Sequence, residues 1–375
     1  MSFDITGWES ALQRVVWLDD VEFDFTKRKE RNRMDPKTIE WGKLDFSYKY
    51  VPYRFHRHWK DGSWDPGQLV TDNKLLIDEG AVCLHYGQEI FEGMKAQRSQ
   101  DGRIWLFRPY ENAKRFNASA RRLLMPEIPE KEFVGAIRQT LLANEEYIPP
   151  YGTGAAMYIR PFMLGVGENL GVRPAKEYLF VVFVTPVGPY FKQGFKPISL
   201  KVETYYDRAA AHGIGQAKAG GNYSASLLPL KNARDEGFDE VVYLDSIQHK
   251  YFEETGASNV FFILPDNVIA TPKSDSILNS IVRRSLMEVA RQDFGYRVEE
   301  RPVSVDEIGT FLEAGACGTA AVITPIGCLG YLNKRYTFYG DGKEAGPVTT
   351  RLYRHLTALQ VGDIEDTHSW LEEVH

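Results

Sequence analysis

The sequence predicts an α/β (α+β) fold in two domains, and three observations carry that prediction. The chain has 375 residues, above the usual range of a single domain. It is 43% hydrophobic and 13% aromatic, enough to bury a sizeable core. Strand-like runs alternate with helical periodicity through both halves, and no internal repeat, low-complexity tract or long Pro/Ser-rich linker interrupts them. In chain order, residues 104–107 (IWLF) and 155–162 read as strands, and 112–124 and 130–144 as helices. Residues 178–187 (YLFVVFVTPV) are a continuous apolar run of buried-strand type. The next ten, 188–197 (GPYFKQGFKP), are rich in turn formers. The boundary is placed there, between a smaller domain of residues 1–187 and a larger one of 198–375. Beyond it the pattern repeats, with strands near 198–203, 240–244 and 259–264 and helices near 222–236 and 280–294. Gly237 and Gly295 stand where these two helices should stop.

Charge and composition exclude several classes. Lys and Arg number 45 against 51 Asp and Glu, a formal charge of −6, so no basic excess asks for nucleic acid or an anionic membrane. The run 27–33 (KRKERNR) reads as a solvated loop. No stretch approaches the roughly 18 to 20 apolar residues of a spanning helix, and the acidic start MSFDITGWES does not resemble a secretory signal. Cys83, Cys317 and Cys328 are too few and too far apart for a disulfide framework or a zinc site. The expectation is a soluble, cytoplasmic protein. Eight histidines show no metal-ligand spacing, and there is no GxSxG, Walker loop or GxGxxG; no metal is expected, and serine-hydrolase, P-loop and Rossmann readings lose support.

Chemistry concentrates in residues 213–227 (GIGQAKAGGNYSASL), where small residues flank one lysine ahead of a helix. Glycines at 215, 220 and 221 let the backbone approach a ligand closely. Lys218, if held in a pocket, could form the Schiff base that carbonyl and pyridoxal chemistry requires. Asn279 or Ser280 is a plausible N-cap, and the free N–H groups of the following turn, NSIVRR, suit a phosphate. The turn ACGTAA at 316–321 could add donors to the same anion. Glu253 and Glu254 follow a strand-like KYF at 250–252; successive strand residues face opposite sides, so at most one carboxylate should reach an interior.

Six collinear segments, HYGQEIFEGMK (85–95), LFRP (106–109), YIRP (158–161), GPYF (188–191), KAGGNY (218–223) and GTA (318–320), together resemble the branched-chain amino acid aminotransferases. The similarity runs from about residue 80 to the C-terminus. It implies a fold type IV, pyridoxal-phosphate-dependent enzyme, with the cofactor between two domains of a homodimer. By this resemblance Lys218 would carry the cofactor and shuttle a proton, Tyr223 would bond its phenolic oxygen, and Glu254 rather than Glu253 would face the ring nitrogen. Arg115, the backbone N–H groups of Ile281 and Val282, and Thr319 would hold the phosphate. Phe91 and Tyr158 would wall the substrate pocket, Tyr86 would enter from the partner subunit, and Tyr190 would close over the substrate. Arg160 would meet the γ-carboxylate of glutamate or 2-oxoglutarate. Some family members carry a redox CxxC where this chain has Ala321 and Thr324, so that thiol switch should be absent. Ala257 stands where others have a threonine, leaving the backbone N–H groups of Ala257 and Ala320 for the substrate α-carboxylate. The implied reaction is transamination of L-leucine, L-isoleucine and L-valine with 2-oxoglutarate. Another fold type IV activity, such as a D-amino acid aminotransferase or aminodeoxychorismate lyase, and a cofactor-binding paralogue without activity are the alternatives.

Overall fold

Two β-sheets organise the chain, each built where apolar runs pair across long sequence separations. The computed structural model describes residues 35–188 and 195–375; the basic run 27–33 and Tyr190 lie outside the described residues. The first sheet uses β1 (Arg54–Lys60), β2 (Ser63–Trp64), β3 (Gln68–Val70), β4 (Glu89–Phe91), β5 (Met94–Arg98), β6 (Ile104–Phe107), β7 (Ala156–Val166) and β8 (Glu177–Val187). The second uses β9 (Ile198–Val202), β10 (Glu240–Leu244), β11 (Phe252–Thr255), β12 (Asn259–Leu264), β13 (Val268–Pro272), β14 (Arg297–Arg301), β15 (Glu313–Gly318), β16 (Val322–Tyr331) and β17 (Lys334–Thr337). The last strand, β18 (Leu371–Glu373), returns to the first sheet and pairs with β6.

The first sheet is antiparallel, in the order β18-β6-β5-β7-β8-β1-β2, with β4 also on β7 and β3 on β1. Its helices are α1 (Val82–Tyr86), α2 (Pro109–Arg122) and α3 (Glu130–Ala143). Helix α2 starts three residues before the predicted position because Pro109 presets the first turn, where its missing N–H costs nothing. Ala113, Phe116 and Ala120 form its buried stripe, and Phe116 meets Phe133 of α3 and Phe180 of β8 at ring centroid distances of 5.1 and 5.6 Å.

In the second sheet six strands close on themselves. β9 lies parallel to β10 and β16, and β10–β11, β11–β12, β12–β15 and β15–β16 are antiparallel, so the ring returns to its start. Leu200, Val202, Val242, Phe252, Val260, Phe262 and Leu329 pack together in one core cluster. The alternate residues of β12, Phe261 and Ile263, belong to another core cluster, with α6 (Ile281–Gln292) and α7 (Pro347–Val361).

Two expectations are corrected here. The helix predicted over 222–236 is two pieces, α4 (Gly221–Ser224) and α5 (Leu227–Asp235). Pro229 explains the break, since its ring cannot donate to the carbonyl of Ala225 and crowds it. The second correction concerns Glu253 and Glu254, which are both buried, at 3% and 4% exposure. They do point to opposite sides of β11, but both sides are covered. Among the described residues no helix is long and apolar enough to cross a membrane, and no group of three His, Cys, Asp or Glu could hold a metal ion.

Candidate active site

The loop ahead of α4 carries Lys218 to a cavity of about 390 Å³ bounded by both sheets. Lys218 Nζ donates to the Tyr223 hydroxyl at 2.7 Å. It also sits 4.8 Å from the centroid of Phe91, whose ring lies 5.0 Å from that of Tyr223. The lysine backbone is held from the first-sheet side. Its N–H donates to Ser119 Oγ of α2 at 2.9 Å, and its carbonyl accepts from Phe91 N–H of β4 at 3.0 Å.

Glu254 lines the same cavity. Its Oε1 accepts from the Leu278 N–H at 2.8 Å and pairs with Arg208 Nη2 at 2.9 Å, while its Oε2 accepts from Asn259 Nδ2 at 2.6 Å. Burial pushes this carboxyl above the ordinary range, against the pull of Arg208 and the Leu278 N–H. A carboxylate offers about four lone-pair positions, and three donors leave one toward the cavity. A protonated ring nitrogen would fill it. Glu253, on the other side of β11, takes Ser274 Oγ at 2.8 Å and the Ser276 hydroxyl.

A second group of residues lining the cavity could receive an anion. Ser280 caps α6, accepting from the Arg283 N–H at 3.2 Å and leaving the first-turn N–H groups of Ile281 and Val282 free of that cap. These two residues and Thr319 line a small adjoining cavity of about 30 Å³. Arg115 lines the main cavity and is locked by Glu92, with Nε to Oε1 at 2.7 Å and Nη2 to Oε2 at 2.8 Å; its Nη1 donates to the Asn279 carbonyl at 3.0 Å. Burial penalises the Glu92 charge, but the Arg115 guanidinium outweighs it and holds the carboxyl below its ordinary range. Three of the five guanidinium N–H donors are used, so two remain for a phosphate. The donors and acceptors present therefore fit the ring nitrogen and the phosphate of pyridoxal phosphate.

Phe46, Phe91, Tyr158 and Arg160 also line the cavity. Arg160 Nη2 donates to the Tyr158 hydroxyl at 2.9 Å, and its guanidinium lies 4.7 Å from the Phe91 centroid. Arg160 Nε is buried without a partner among the described residues. Gly93 is required by close packing, because an added Cβ would fall on the Tyr158 hydroxyl. Ala257 and Ala320 also line the cavity. The Ala257 N–H is not free as expected: it points at Thr255 Oγ1, 3.3 Å away, in a tight turn. Cys317 is buried, and desolvation pushes its thiol up to about 12.

Of the residues singled out from the sequence, Lys218, Tyr223, Glu254, Arg115, Thr319, Phe91, Tyr158, Arg160, Ala257 and Ala320 share the main cavity, with Ile281 and Val282 adjoining. Tyr86 does not line it in this chain; 44% exposed, it donates to the Leu170 carbonyl at 2.5 Å. Sequence reasoning missed Arg208, Glu92, Asn259 and Phe46. Arg208 lies in an irregular stretch with no periodicity to read. Glu92 carried a signal, since strand alternation puts it opposite Phe91 and Glu89.

A lysine held against a tyrosine, sharing one cavity with a buried carboxylate, an arginine and a helix start, defines a class of lysine-tethered cofactor enzyme. The chain belongs to the class IV amino-transferase family, whose family model matches residues 89–327, and its architecture is fold type IV. The relatives narrow this further. The chain is 50% identical over 343 residues to the branched-chain-amino-acid aminotransferase of Haemophilus influenzae, covering 90% of this chain and 99% of that one. It is 48% identical over 339 residues to the same-named protein of Helicobacter pylori, covering 90% and 98%. The crystal structure of the Escherichia coli branched-chain amino acid aminotransferase superposes with a TM-score of 0.73 at 28% identity, covering 89% and 100%. The T.th. branched-chain amino acid aminotransferase complexed with N-(5'-phosphopyridoxyl)-L-glutamate gives 0.69 at 28%, covering 85% and 98%.

Proposed function

We propose that this chain catalyses the reversible transamination of L-leucine, L-isoleucine and L-valine with 2-oxoglutarate, giving branched-chain 2-oxo acids and L-glutamate, with pyridoxal phosphate as cofactor. The observation that carries the reading is one cavity in which Lys218, Tyr223, Glu254 and Arg115 converge beside an apolar wall holding one arginine. Bound there, the cofactor supplies an aldehyde carbon to which amines attach and a conjugated ring that takes up electrons from the substrate Cα. The amine of Lys218 holds the cofactor and then moves the proton at the substrate Cα. Tyr223, already bonded to that amine at 2.7 Å, orients it and meets the phenolic oxygen. Glu254, backed by Arg208, holds a proton on the ring nitrogen. Arg115, Thr319 and the first N–H groups of α6 bind the phosphate.

On the substrate side, Phe46, Phe91 and Tyr158 receive the apolar branched side chain and exclude water. Arg160, at the rim, takes the γ-carboxylate of glutamate through charge-assisted hydrogen bonds. The N–H groups of Ala320 and, by release from Thr255, Ala257 receive the α-carboxylate. Tyr190, in the stretch 188–197 between domains 1–187 and 198–375, the latter returning its last strand Leu371–Glu373 to the first sheet, would close the site. Assembly as a homodimer in the cytoplasm belongs to the same proposal, and the exposure of Tyr86 supports a role for it toward a second subunit.

Initial rates with leucine, isoleucine and valine in both L- and D-forms, following glutamate from 2-oxoglutarate, test this. Turnover confined to the L-forms is expected; turnover of D-forms alone, or none, overturns it. Replacing Arg160 with Ala is expected to lower kcat/KM for glutamate and 2-oxoglutarate by roughly ten- to a hundredfold, the loss of a hydrogen bond to a charged group, with a smaller effect on leucine. Equal losses for both substrates contradict the role given to Arg160.

A further inference from the structure

The backbone around Lys218 is gripped by residues that the proposed chemistry does not use. Ser119 Oγ takes the Lys218 N–H at 2.9 Å, and Glu89 Oε1 takes the Gly220 N–H at 2.6 Å. With Phe91 N–H on the Lys218 carbonyl at 3.0 Å, three polar groups of the loop, two on Lys218 and one on Gly220, are tied to α2 and β4. All three partners belong to the first sheet and its helices, as does Arg115, whereas Glu254 and the start of α6 lie on or beside the second.

Glu89 also explains a glycine. Gly220 has φ −60° and ψ −31°, ordinary helical values that any residue adopts. Its backbone does not need glycine, but an added Cβ would meet Glu89 Oε1 and displace the carboxylate that takes the Gly220 N–H. Glu89 itself does not line the main cavity; it is hydrogen-bonded to the loop through the Gly220 N–H and also feels the charge of Arg160.

We propose that Glu89 is a positioning residue that latches the Lys218 loop to the first sheet through the Gly220 N–H, with Ser119 as the second anchor. The latch holds the amine beside Tyr223 while substrates exchange. It rests on Lys218 being the reacting lysine, a reading that Lys218→Ala tests separately.

Hydrogen–deuterium exchange of residues 217–222 in the cofactor-loaded enzyme reads the latch directly. In Glu89→Ala, exchange at Gly220 is expected to rise on the order of tenfold or more, the effect of losing a charge-assisted acceptor, while kcat falls and KM for leucine changes little. Glu89→Gln keeps an acceptor oxygen in place and should restore most of both. Ser119→Ala should speed exchange at Lys218 in the same way. Gly220→Ala alone should loosen the loop, and in the Glu89→Ala background it should add little, because the obstructing carboxylate is gone. Unchanged exchange in Glu89→Ala, or full additivity of the Glu89→Ala and Gly220→Ala effects, overturns the proposal. A transaminating Lys218→Ala enzyme would instead overturn the assignment of Lys218, leaving the exchange result to stand on its own.

Discussion

Lys218→Ala is expected to abolish the borohydride-reducible link to pyridoxal phosphate and to lower transamination by several orders of magnitude. No neighbouring amine replaces it: among the described residues lining the main cavity, Lys218 is the single lysine. The nearest contender is Lys95, whose ammonium burial brings down to about 8. That amine is held by the Ala320 carbonyl at 2.6 Å and lines adjoining cavities rather than the main one. Its lowered basicity makes it a good nucleophile in principle, so the geometry, not the basicity, excludes it. Mass spectrometry of the reduced protein should find the cofactor adduct on Lys218 in the wild type and nowhere in the variant. An adduct on Lys95 with retained turnover would show that position matters less than the structure implies.

Arg208→Met is expected to cost about 3–5 kcal/mol of stability, the range for stripping one partner from a buried ion pair. Arg208 and Glu254 are each 5% exposed in their side chains. Removing the guanidinium leaves Glu254 with the Leu278 N–H and the Asn259 amide. The pH dependence has a definite sign. Burial already raises the Glu254 carboxyl in the fold, and losing Arg208 raises it further. A carboxyl raised above its unfolded value weakens the fold when ionised, so the deficit is fully present above the folded value. It shrinks as pH falls through that value and the group takes up a proton. Adding Glu254→Gln should recover much of the loss, giving a double variant more stable than the sum of the two singles. Denaturant unfolding of the cofactor-free protein at neutral and acidic pH measures all of this. Additive losses with no pH dependence would mean that the pair is not a functional unit.

The strands at 104–107, 240–244 and 259–264 were legible to the residue, because each is a short apolar run between turn formers. The closure of the second sheet was not. It depends on β9 pairing with β16 and β11 with β12, and a ring closed by such pairings leaves no local trace. The broken helix at 225–226 had its signal in Pro229, outweighed by the apolar spacing around it. Lys218 stood out through its small-residue flanks, and capping chemistry alone narrowed the N-cap to Asn279 or Ser280, of which the structure uses Ser280. Arg115, Arg160 and the choice of Glu254 came only from the family resemblance, since single charged residues carry no role in their spacing. Both carboxylates of β11 proved buried because a strand inside a closed ring backed by further structure has no solvent face, which alternation alone does not reveal. Phe46, before the distinctive motifs, joined the site through tertiary packing against Tyr158, at 5.2 Å between ring centroids.

If one pocket holds pyridoxal phosphate on Lys218 and passes an amino group from a branched-chain amino acid to 2-oxoglutarate, both halves of the exchange should be visible in a single cuvette. The measurement is an absorption spectrum of the purified protein, taken first alone, then after L-leucine, then after 2-oxoglutarate. A visible band of the lysine-bound cofactor is expected, lost with leucine and restored by the keto acid. A protein that stays colourless with added pyridoxal phosphate, or a coloured one whose band ignores leucine, would contradict that exchange.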